Sequence, residues 1–320
     1  QTTIDLLRDL PSGLITHMVT LAPNLATRNQ VANYVDITPL VPVETIFHSV
    51  DQYAMSERDI QTIVAWDLDV LLVIGWERII PGRVLHALRS GAFGMHGSPW
   101  GLPRGRGRSP MNWGLLLGVE SFVTHLFRYD DEIDSGDIVD SVSMVVTDRD
   151  TIDTMHFKNR AAMRRLLDVH LPAILDNTAP REVQVGTPTY FPRRRPEDGE
   201  IDWREPVAVV DRLVRAVAPP YQGAFSSVGG HRLNVDASQP LGLPDVAALP
   251  GTVVETSANG AFAVQCSEGA LLVTAWRWDA GGDRIPPPRG AMLSSVDASA
   301  IATSIRGRYA PDISLRQQEI

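Results

Sequence analysis

A continuous apolar run of strand length, DVLLVI at residues 69–74, constrains the fold of this chain more than any other segment. A strand that is apolar on both faces is typical of a parallel sheet that is covered by helices on each side. The residue pattern predicts helices over residues 58–66 and 82–89, directly before and after this run. Because strands and helices alternate, we predict an α/β domain with a Rossmann-like, mostly parallel sheet and helices on both faces.

Further elements extend this alternation along the first half of the chain. The sequence predicts strands over residues 14–21, 91–95 and 121–129, and helices over residues 4–10, 110–118 and 151–176. An α/β domain normally begins with a strand, whereas this chain begins inside a helix, so we expect a first strand upstream of Gln1. Ligands of open α/β sheets bind beyond the carboxyl ends of the strands. We therefore expect the functional site just after residues 74 and 95.

The sequence changes character after residues 186–202, which are rich in proline, glycine and charge and are typical of a linker. The sequence then predicts a helix at residues 206–218. Short alternating runs follow at residues 231–235, 251–256, 261–265 and 270–276, with an Asn-Gly hairpin turn at residues 259–260. These runs predict a small, OB-like β-barrel. We divide the chain into a catalytic domain (residues 1–185), a linker (186–205), a carboxyl-terminal OB-like barrel (206–290) and a tail with a short helix (291–320).

The composition argues against several classes of function. The formal net charge of −9 argues against broad, non-specific binding to nucleic acid. The single cysteine, Cys266, excludes an internal disulfide and a cysteine-rich metal site, and the metal-binding His and Glu spacings are absent. Apolar runs stay shorter than the ~18 residues of a membrane span, and a signal peptide is not visible. We expect a cytoplasmic protein that binds neither a metal nor a membrane.

Two segments contain residue types that move protons near neutral pH. Residues 93–113, FGMHGSPWGLPRGRGRSPMNW, set His96 in a loop rich in glycine, proline and arginine. Residues 130–139, DDEIDSGDIV, form an acidic loop around Asp134. A histidine beside a carboxylate is a common arrangement for general acid and base catalysis. The other seven histidines, His125 among them, have no such motif, and we expect them to be structural.

The combination of these motifs resembles the folate-dependent formyltransferases, which include methionyl-tRNA formyltransferase, glycinamide ribonucleotide formyltransferase and the sugar N-formyltransferases. The matching motifs are His96-Gly97-Ser98, Leu102-Pro103-Arg104-Gly105-Arg106-Gly107, Pro110 and Asp134-Ser135-Gly136-Asp137-Ile138. Residues 193–203 and 210–225 resemble the family's joint to its carboxyl-terminal barrel. The resemblance implies transfer of a formyl group from 10-formyltetrahydrofolate to an amine.

The resemblance also implies roles for individual residues. His96 polarises the formyl oxygen and helps carry the proton, and Asp134 orients His96, favours its charged form and accepts the amine proton directly or through water. The residues implied for the folate donor are Trp76, Ile80, Leu102, Asp130, Asp131, Glu132 and Ile133. The acceptor-side candidates are Ser98, Trp100, Arg104, Arg106 and Arg108. The three arginines form either a solvated basic loop or a site for an anionic acceptor such as a nucleotide diphosphate, because arginine grips phosphate with two donors.

One position departs from the family pattern. The family places an asparagine two residues before the histidine, where its amide donates to the developing oxyanion, and this chain has Gly94 there. Losing one oxyanion donor typically costs about 2.7–4 kcal/mol, or roughly 10²–10³ in rate. Three interpretations stay open: Asn112 supplies the amide, the chain uses a different acyl group or donor, or it is a weak or inactive homologue.

The favoured acceptor is an amine of a small molecule, such as an amino-sugar nucleotide or a specialised metabolite. Methionyl-tRNA formyltransferase is the alternative enzyme, but lysine is absent from residue 203 onward and arginines nearly balance the acidic residues, which is a poor electrostatic surface for tRNA. A catalytically impaired homologue that acts as a binding protein is the second alternative. The oligomeric state stays open.

Overall fold

Helices and strands alternate in the first half of the chain and give way to strands in the second half. The computed structural model describes residues 2–11, 13–29, 31, 34–76, 78–242, 248–281 and 284–306. The helices are α1 (Thr2–Asp9), α2 (Pro23–Arg28), α3 (Glu57–Ala65), α4 (Gly82–Ala87), α5 (Pro110–Leu117), α6 (Ile152–Leu175), α7 (Val207–Val217) and α8 (Ala298–Arg306). The strands are β1 (His17–Leu21), β2 (Ile46–Val50), β3 (Val70–Val73), β4 (Gly91–Ser98), β5 (Arg106–Gly107), β6 (Ser121–Arg128), β7 (Ile138–Val145), β8 (Tyr190–Phe191), β9 (Ala224–Val228), β10 (His231–Leu241), β11 (Val253–Thr256), β12 (Phe262–Gln265) and β13 (Ala270–Trp278).

The predicted α/β fold is confirmed, and its sheet is mixed. Strands β1 and β2 pair in parallel, as do β3 and β4. The second sheet has the order β3-β4-β6-β7, and its last two strands add antiparallel. The loop at residues 129–137 joins β6 to β7 and is too short to hold the crossover helix that a parallel connection needs. The acidic loop therefore starts beside the first residues of β4, where the Tyr129 amide donates to the Ala92 carbonyl.

A cavity of about 860 Å³ lies between the two parallel strand pairs. Residues of both β1 and β3 line it, together with Trp76 and Ile80 just beyond the carboxyl end of β3. The strand expected upstream of Gln1 stays a prediction.

The long helix α6 covers one face of the mixed sheet. Its first turn is closed by reciprocal hydrogen bonds between Thr151 and Thr154, which satisfy amides that a helix start leaves unpaired. Met155, Leu166 and Ile174 are fully buried along one side of the helix. This buried stripe packs against one face of the sheet. The ends of the strands are left uncovered by the helix and can form the site.

The second half of the chain forms a five-stranded antiparallel sheet of order β11-β12-β13-β10-β9. Its core continues into the first half, because Leu115, Phe122 and Met155 belong to the same buried cluster as Val210 and Leu233. The closure of this sheet into an OB-like barrel stays a prediction.

The segment predicted as a linker is packed into the protein. Tyr190 and Phe191 are buried in β8, which pairs in parallel with β5. Ile201 and Trp203 are fully buried farther along. Helix α8 lies in the predicted tail, of which residues 307–320 fall outside the described residues.

The described residues lack two features, a membrane-spanning helix and a metal-binding cluster. None of the described helices combines the length and apolar character that crossing a membrane would need. Nor do the described residues bring three or more His, Cys, Asp or Glu side chains into an arrangement that could hold a metal ion.

Candidate active site

His96 and Asp134 lie together where β4 meets the acidic loop. The imidazole Nδ1 of His96 is 3.4 Å from Asp134 Oδ2, and both side chains are mostly buried. The other ring nitrogen, Nε2, is 3.0 Å from the carbonyl oxygen of Gly105. Both neighbouring oxygens are hydrogen-bond acceptors, so each ring nitrogen of His96 faces an oxygen that can accept from it. The structure therefore brings together the two residues that the motifs single out.

The acidic loop holds the Asp134 carboxylate in one position. Asp134 has a left-handed backbone with φ of 51°, and its Oδ2 accepts a 2.9 Å hydrogen bond from the Gly107 amide. The side-chain amide of Gln184 donates to the carbonyls of both Asp134 and Gly136, at 2.8 Å each. A Cβ atom on Gly136 would lie 1.6 Å from the Arg128 carbonyl oxygen, so only glycine fits this turn.

Arg106 supports this loop from inside the protein. Its guanidinium donates to Gln184 Oε1 from Nη2 at 2.7 Å and from Nε at 3.2 Å, and Nη1 donates to the Tyr190 hydroxyl at 3.1 Å. The residue is only 6% exposed. The assignment of Arg106 to the acceptor side is therefore corrected, because its donors are used inside the fold. Sequence reasoning missed Gln184, which stands outside every motif.

Ser98 and Asn112 are also corrected. Ser98 is fully buried, and its hydroxyl donates to the Arg104 carbonyl at 2.5 Å while accepting from the Trp100 amide at 3.1 Å, so it closes the loop and does not face an acceptor. The Asn112 side chain is buried and donates to the Ala216 carbonyl of α7 at 2.7 Å. Its amide holds α5 against α7, so the interpretation that it replaces the missing oxyanion donor loses its support.

His125 anchors the same loop from below, in agreement with the structural role expected for it. Its Nδ1 lies 3.3 Å from the carbonyl oxygen of His96, and its Nε2 accepts a 3.3 Å hydrogen bond from the Leu102 amide. Burial lowers the pKa of His125 to about 4. The ring is therefore neutral at pH 7, with its proton on Nδ1. The predicted donor role of the Leu102 side chain, which is half-buried, stays a prediction.

The other predicted donor-site residues divide between two cavities. Trp76 and Ile80 line the cavity of about 860 Å³. Asp130 and Asp131 line a second cavity of about 250 Å³, which they share with Tyr129. The predicted contacts of the donor with these residues stay predictions.

Glu132 and Ile133 form the turn that follows this second cavity. Glu132 is exposed and its carbonyl accepts a hydrogen bond from the Ser135 hydroxyl at 3.1 Å, whereas Ile133 is half-buried. On the far wall, the Asp131 carboxylate lies 3.1 Å from His86 Nε2 of α4. The acidic loop is thereby connected to α4 across the cavity.

Trp100, Arg104 and Arg108 are the remaining residues predicted for the acceptor side, and that role stays a prediction. The Trp100 ring stacks on Phe191 with 5.4 Å between centroids, and the Arg104 guanidinium lies 4.9 Å from the centre of the Trp100 ring. Ile305 of α8 belongs to the same apolar cluster. Arg104 is exposed and Arg108 half-buried. This side combines a flat aromatic ring with arginine side chains.

Gly94 stands beside Tyr129, a residue that sequence reasoning missed. A Cβ atom at position 94 would lie 2.5 Å from Tyr129 Cε2 and 2.9 Å from the Val73 carbonyl oxygen. The tyrosine ring therefore fills the space into which a side chain at position 94 would project. Burial, and then the Asp134 carboxylate, raise the pKa of the Tyr129 phenol far above its ordinary value.

Two family comparisons match this sequence. Residues 17–168 match the family described as formyl transferase, and residues 194–284 match the formyl transferase C-terminal domain. Together they cover most of the chain, and each falls on one of its two halves.

Several solved structures share the fold. HypX from Aquifex aeolicus in complex with tetrahydrofolic acid is 16% identical, with a TM-score of 0.58, and the match covers 90% of this chain and 47% of that chain. An N-formyltransferase from Helicobacter canadensis, in complex with folinic acid and dTDP-3-aminofucose, is 16% identical, with a TM-score of 0.55 over 82% of this chain and 100% of that chain. Methionyl-tRNA formyltransferase from Clostridium thermocellum is 19% identical, with a TM-score of 0.51, and the match covers 71% of this chain and 93% of that chain. The chain spans about half the length of the HypX chains that it matches.

Proposed function

Because the chain belongs to the formyltransferase family, we propose that it transfers a formyl group from 10-formyltetrahydrofolate to an amine of a small molecule. The observation that carries the proposal is the 3.4 Å approach of His96 Nδ1 to Asp134 Oδ2. The structures from Aquifex aeolicus and Helicobacter canadensis hold folates, which supports a folate donor. The carboxylates and backbone groups of Asp130 and Asp131 have the hydrogen-bonding character that the polar edge of a folate ring requires.

The chemistry follows from the positions of the two side chains. The attacking amine adds to the formyl carbon, and the carbonyl electrons move onto oxygen. When the formyl oxygen replaces the Gly105 carbonyl as the partner of Nε2, His96 polarises that oxygen and supplies a proton to the departing nitrogen of the donor, while Asp134 accepts the proton that the amine loses. The Gly107 amide and the Gln184 side chain hold the carboxylate loop in place during these steps. The products are the N-formyl amine and tetrahydrofolate.

The acceptor is an amine attached to an anionic group, such as an amino-sugar nucleotide. Trp100 is an aromatic residue of the kind that packs against a base or sugar, and arginines such as Arg104 and Arg108 are the residue type that binds phosphate with paired donors. A tRNA acceptor is less favoured because the net charge is −9. In this assignment residues 1–185 catalyse, residues 186–205 link, residues 206–290 form the OB-like barrel and residues 291–320 form the tail.

The experiment follows tetrahydrofolate release from 10-formyltetrahydrofolate with a panel of amines and amino-sugar nucleotides. Wild-type protein should turn over the donor with at least one acceptor, and His96→Ala should abolish this turnover. His231→Ala, which changes an exposed histidine at the start of β10, should keep it. Formylation of charged initiator tRNA without any small acceptor would contradict the acceptor class. Absence of turnover with every acceptor would favour a binding protein.

A further inference from the structure

We propose that Tyr129 is a catalytic residue, whose phenolic hydroxyl donates a hydrogen bond to the oxyanion that forms on the formyl group. This inference rests on the proposed formyl transfer and adds a group to its active site. Formyl transfer needs at least one donor directed at the developing negative charge. The glycine at position 94 brings no side chain to this task, and Asn112 is used elsewhere.

The strand register places Tyr129 on the face of the sheet that carries His96. Gly94 and His96 are two residues apart in β4, so both positions face the same side. Phe127 of β6 pairs directly with Gly94, and Tyr129 follows two residues later on that face. The ring of Tyr129 stacks on Phe127 with 5.0 Å between centroids. The stacking fixes the direction in which the hydroxyl points.

The Tyr129 hydroxyl lies close to the place where a side chain at position 94 would begin. A Cβ atom built on Gly94 is 3.1 Å from the Tyr129 hydroxyl oxygen. The amide nitrogen of an asparagine is roughly 2.4 Å from its own Cβ, from standard bond lengths. From the first position after β6, the Tyr129 hydroxyl therefore lies within reach of the region into which an asparagine side chain at position 94 would project. Glycine at position 94 is then required, because any Cβ there would collide with the ring at 2.5 Å.

The phenol has a proton to offer. Within the described part of the chain, the Tyr129 hydroxyl makes no hydrogen bond to another residue. Its pKa is raised first by burial and then by the Asp134 carboxylate, so it stays protonated at neutral pH. A neutral phenol in a partly buried site is a strong hydrogen-bond donor to an oxyanion, as in ketosteroid isomerase. The residue also lines the cavity of about 250 Å³ that contains the donor-site candidates Asp130 and Asp131.

The step balances without a further reactant. The amine nitrogen forms a bond to the formyl carbon, and the carbonyl π electrons move to oxygen, where the Tyr129 O–H donates without losing its proton. The carbon–oxygen double bond then reforms, the bond from carbon to the folate nitrogen breaks, and that nitrogen leaves with a proton from His96. Asp134 takes the proton of the attacking amine.

Tyr129→Phe tests the inference, because it removes one oxygen and keeps the stacked ring above Gly94. For wild type and variant, kcat, the donor KM and the melting temperature are measured with the acceptor found in the amine panel. We expect kcat to fall by roughly 10²–10³ while the donor KM stays within about threefold. Tyr221→Phe is the matched control, since its hydroxyl lies 3.4 Å from His156 Nε2, and its kcat should not change.

Each other outcome overturns part of the account. If Tyr129→Phe keeps kcat within about threefold of wild type, the tyrosine only fills space and the inference is wrong. A decrease in activity that is matched by a lower melting temperature, or confined to KM, also assigns the residue a structural or binding role. If wild type transfers no formyl group to any acceptor, the proposed function itself fails, a result that is distinct because it precedes the comparison of variants.

Discussion

Acidification should weaken the fold through one buried histidine. His125 is 3% exposed, and as a neutral ring it bonds both the His96 carbonyl and the Leu102 amide. A protonated ring could not accept from Leu102, and a buried charge would have no carboxylate beside it in either of these bonds. We therefore expect protonation of His125 to release the loop at residues 98–108 from β6.

The magnitude follows from the pKa of His125, which burial lowers to about 4 from an unfolded value of about 6.5. Because the unfolded chain binds the proton more tightly, the stabilisation is complete above pH 6.5 and is lost as the pH falls towards 4. The full difference of about 2.5 pKa units corresponds to about 3 kcal/mol, and about 2 kcal/mol of it is lost by pH 5.

Urea denaturation at pH 8, 7, 6 and 5 measures this effect on the free energy of unfolding. His125→Asn should be less stable than wild type at pH 8, and its stability should fall by about 2 kcal/mol less between pH 8 and 5. His231→Asn, in an exposed part of β10, should follow the wild-type pH dependence. If His125→Asn and wild type lose the same stability over this range, His125 is not the neutral buried group that we describe.

Three substitutions test the loop and its supports. Gly136→Ala should lower both stability and kcat, since its Cβ would meet the Arg128 carbonyl at 1.6 Å; a melting temperature equal to that of wild type would contradict the loop geometry. Gln184→Leu should lower kcat by about tenfold with little change in the donor KM, because two 2.8 Å hydrogen bonds that hold the Asp134 loop are lost, and an unchanged kcat would make Gln184 dispensable. Asn112→Ala should reduce the free energy of unfolding by about 1–3 kcal/mol and leave kcat within a few-fold, whereas a 10²-fold loss in a stable protein would restore its catalytic role.

Much of the α/β domain could be predicted because its elements have strong local signals. The apolar run of β3 and the capped, striped α6 appear in the structure close to their predicted bounds. Strand β2 was missed because it is short and only Val50 in it is buried, which leaves no clear apolar period. The segment predicted as a linker is partly buried because Phe191 and Trp203 pack into apolar clusters, and its proline and charge content hid these contacts.

Motifs located the catalytic pair, but not the direction in which neighbouring side chains point. His96 and Asp134 meet because His96 lies in β4 and Asp134 lies in the loop that follows β6, the strand paired with β4. Ser98 and Arg106 belong to the same motifs, yet both turn inward and hold the loop. Tyr129 had no motif, and its importance comes from the strand pairing that sets it against Gly94. That pairing could not be deduced from local sequence alone.

The central claim is that His96 and Asp134 act as a unit in formyl transfer from a folate donor. Single-turnover release of tetrahydrofolate should be measured for wild type, His96→Gln, Asp134→Asn and the double variant, with Asp137→Asn as a control from the same loop. We predict that each single change slows transfer by 10²-fold or more, that the double variant is only slightly slower than the worse single one, and that the control is near wild type. A rate loss in the double variant that equals the product of the two single losses would contradict the claim. Rapid transfer by either single variant would also contradict it.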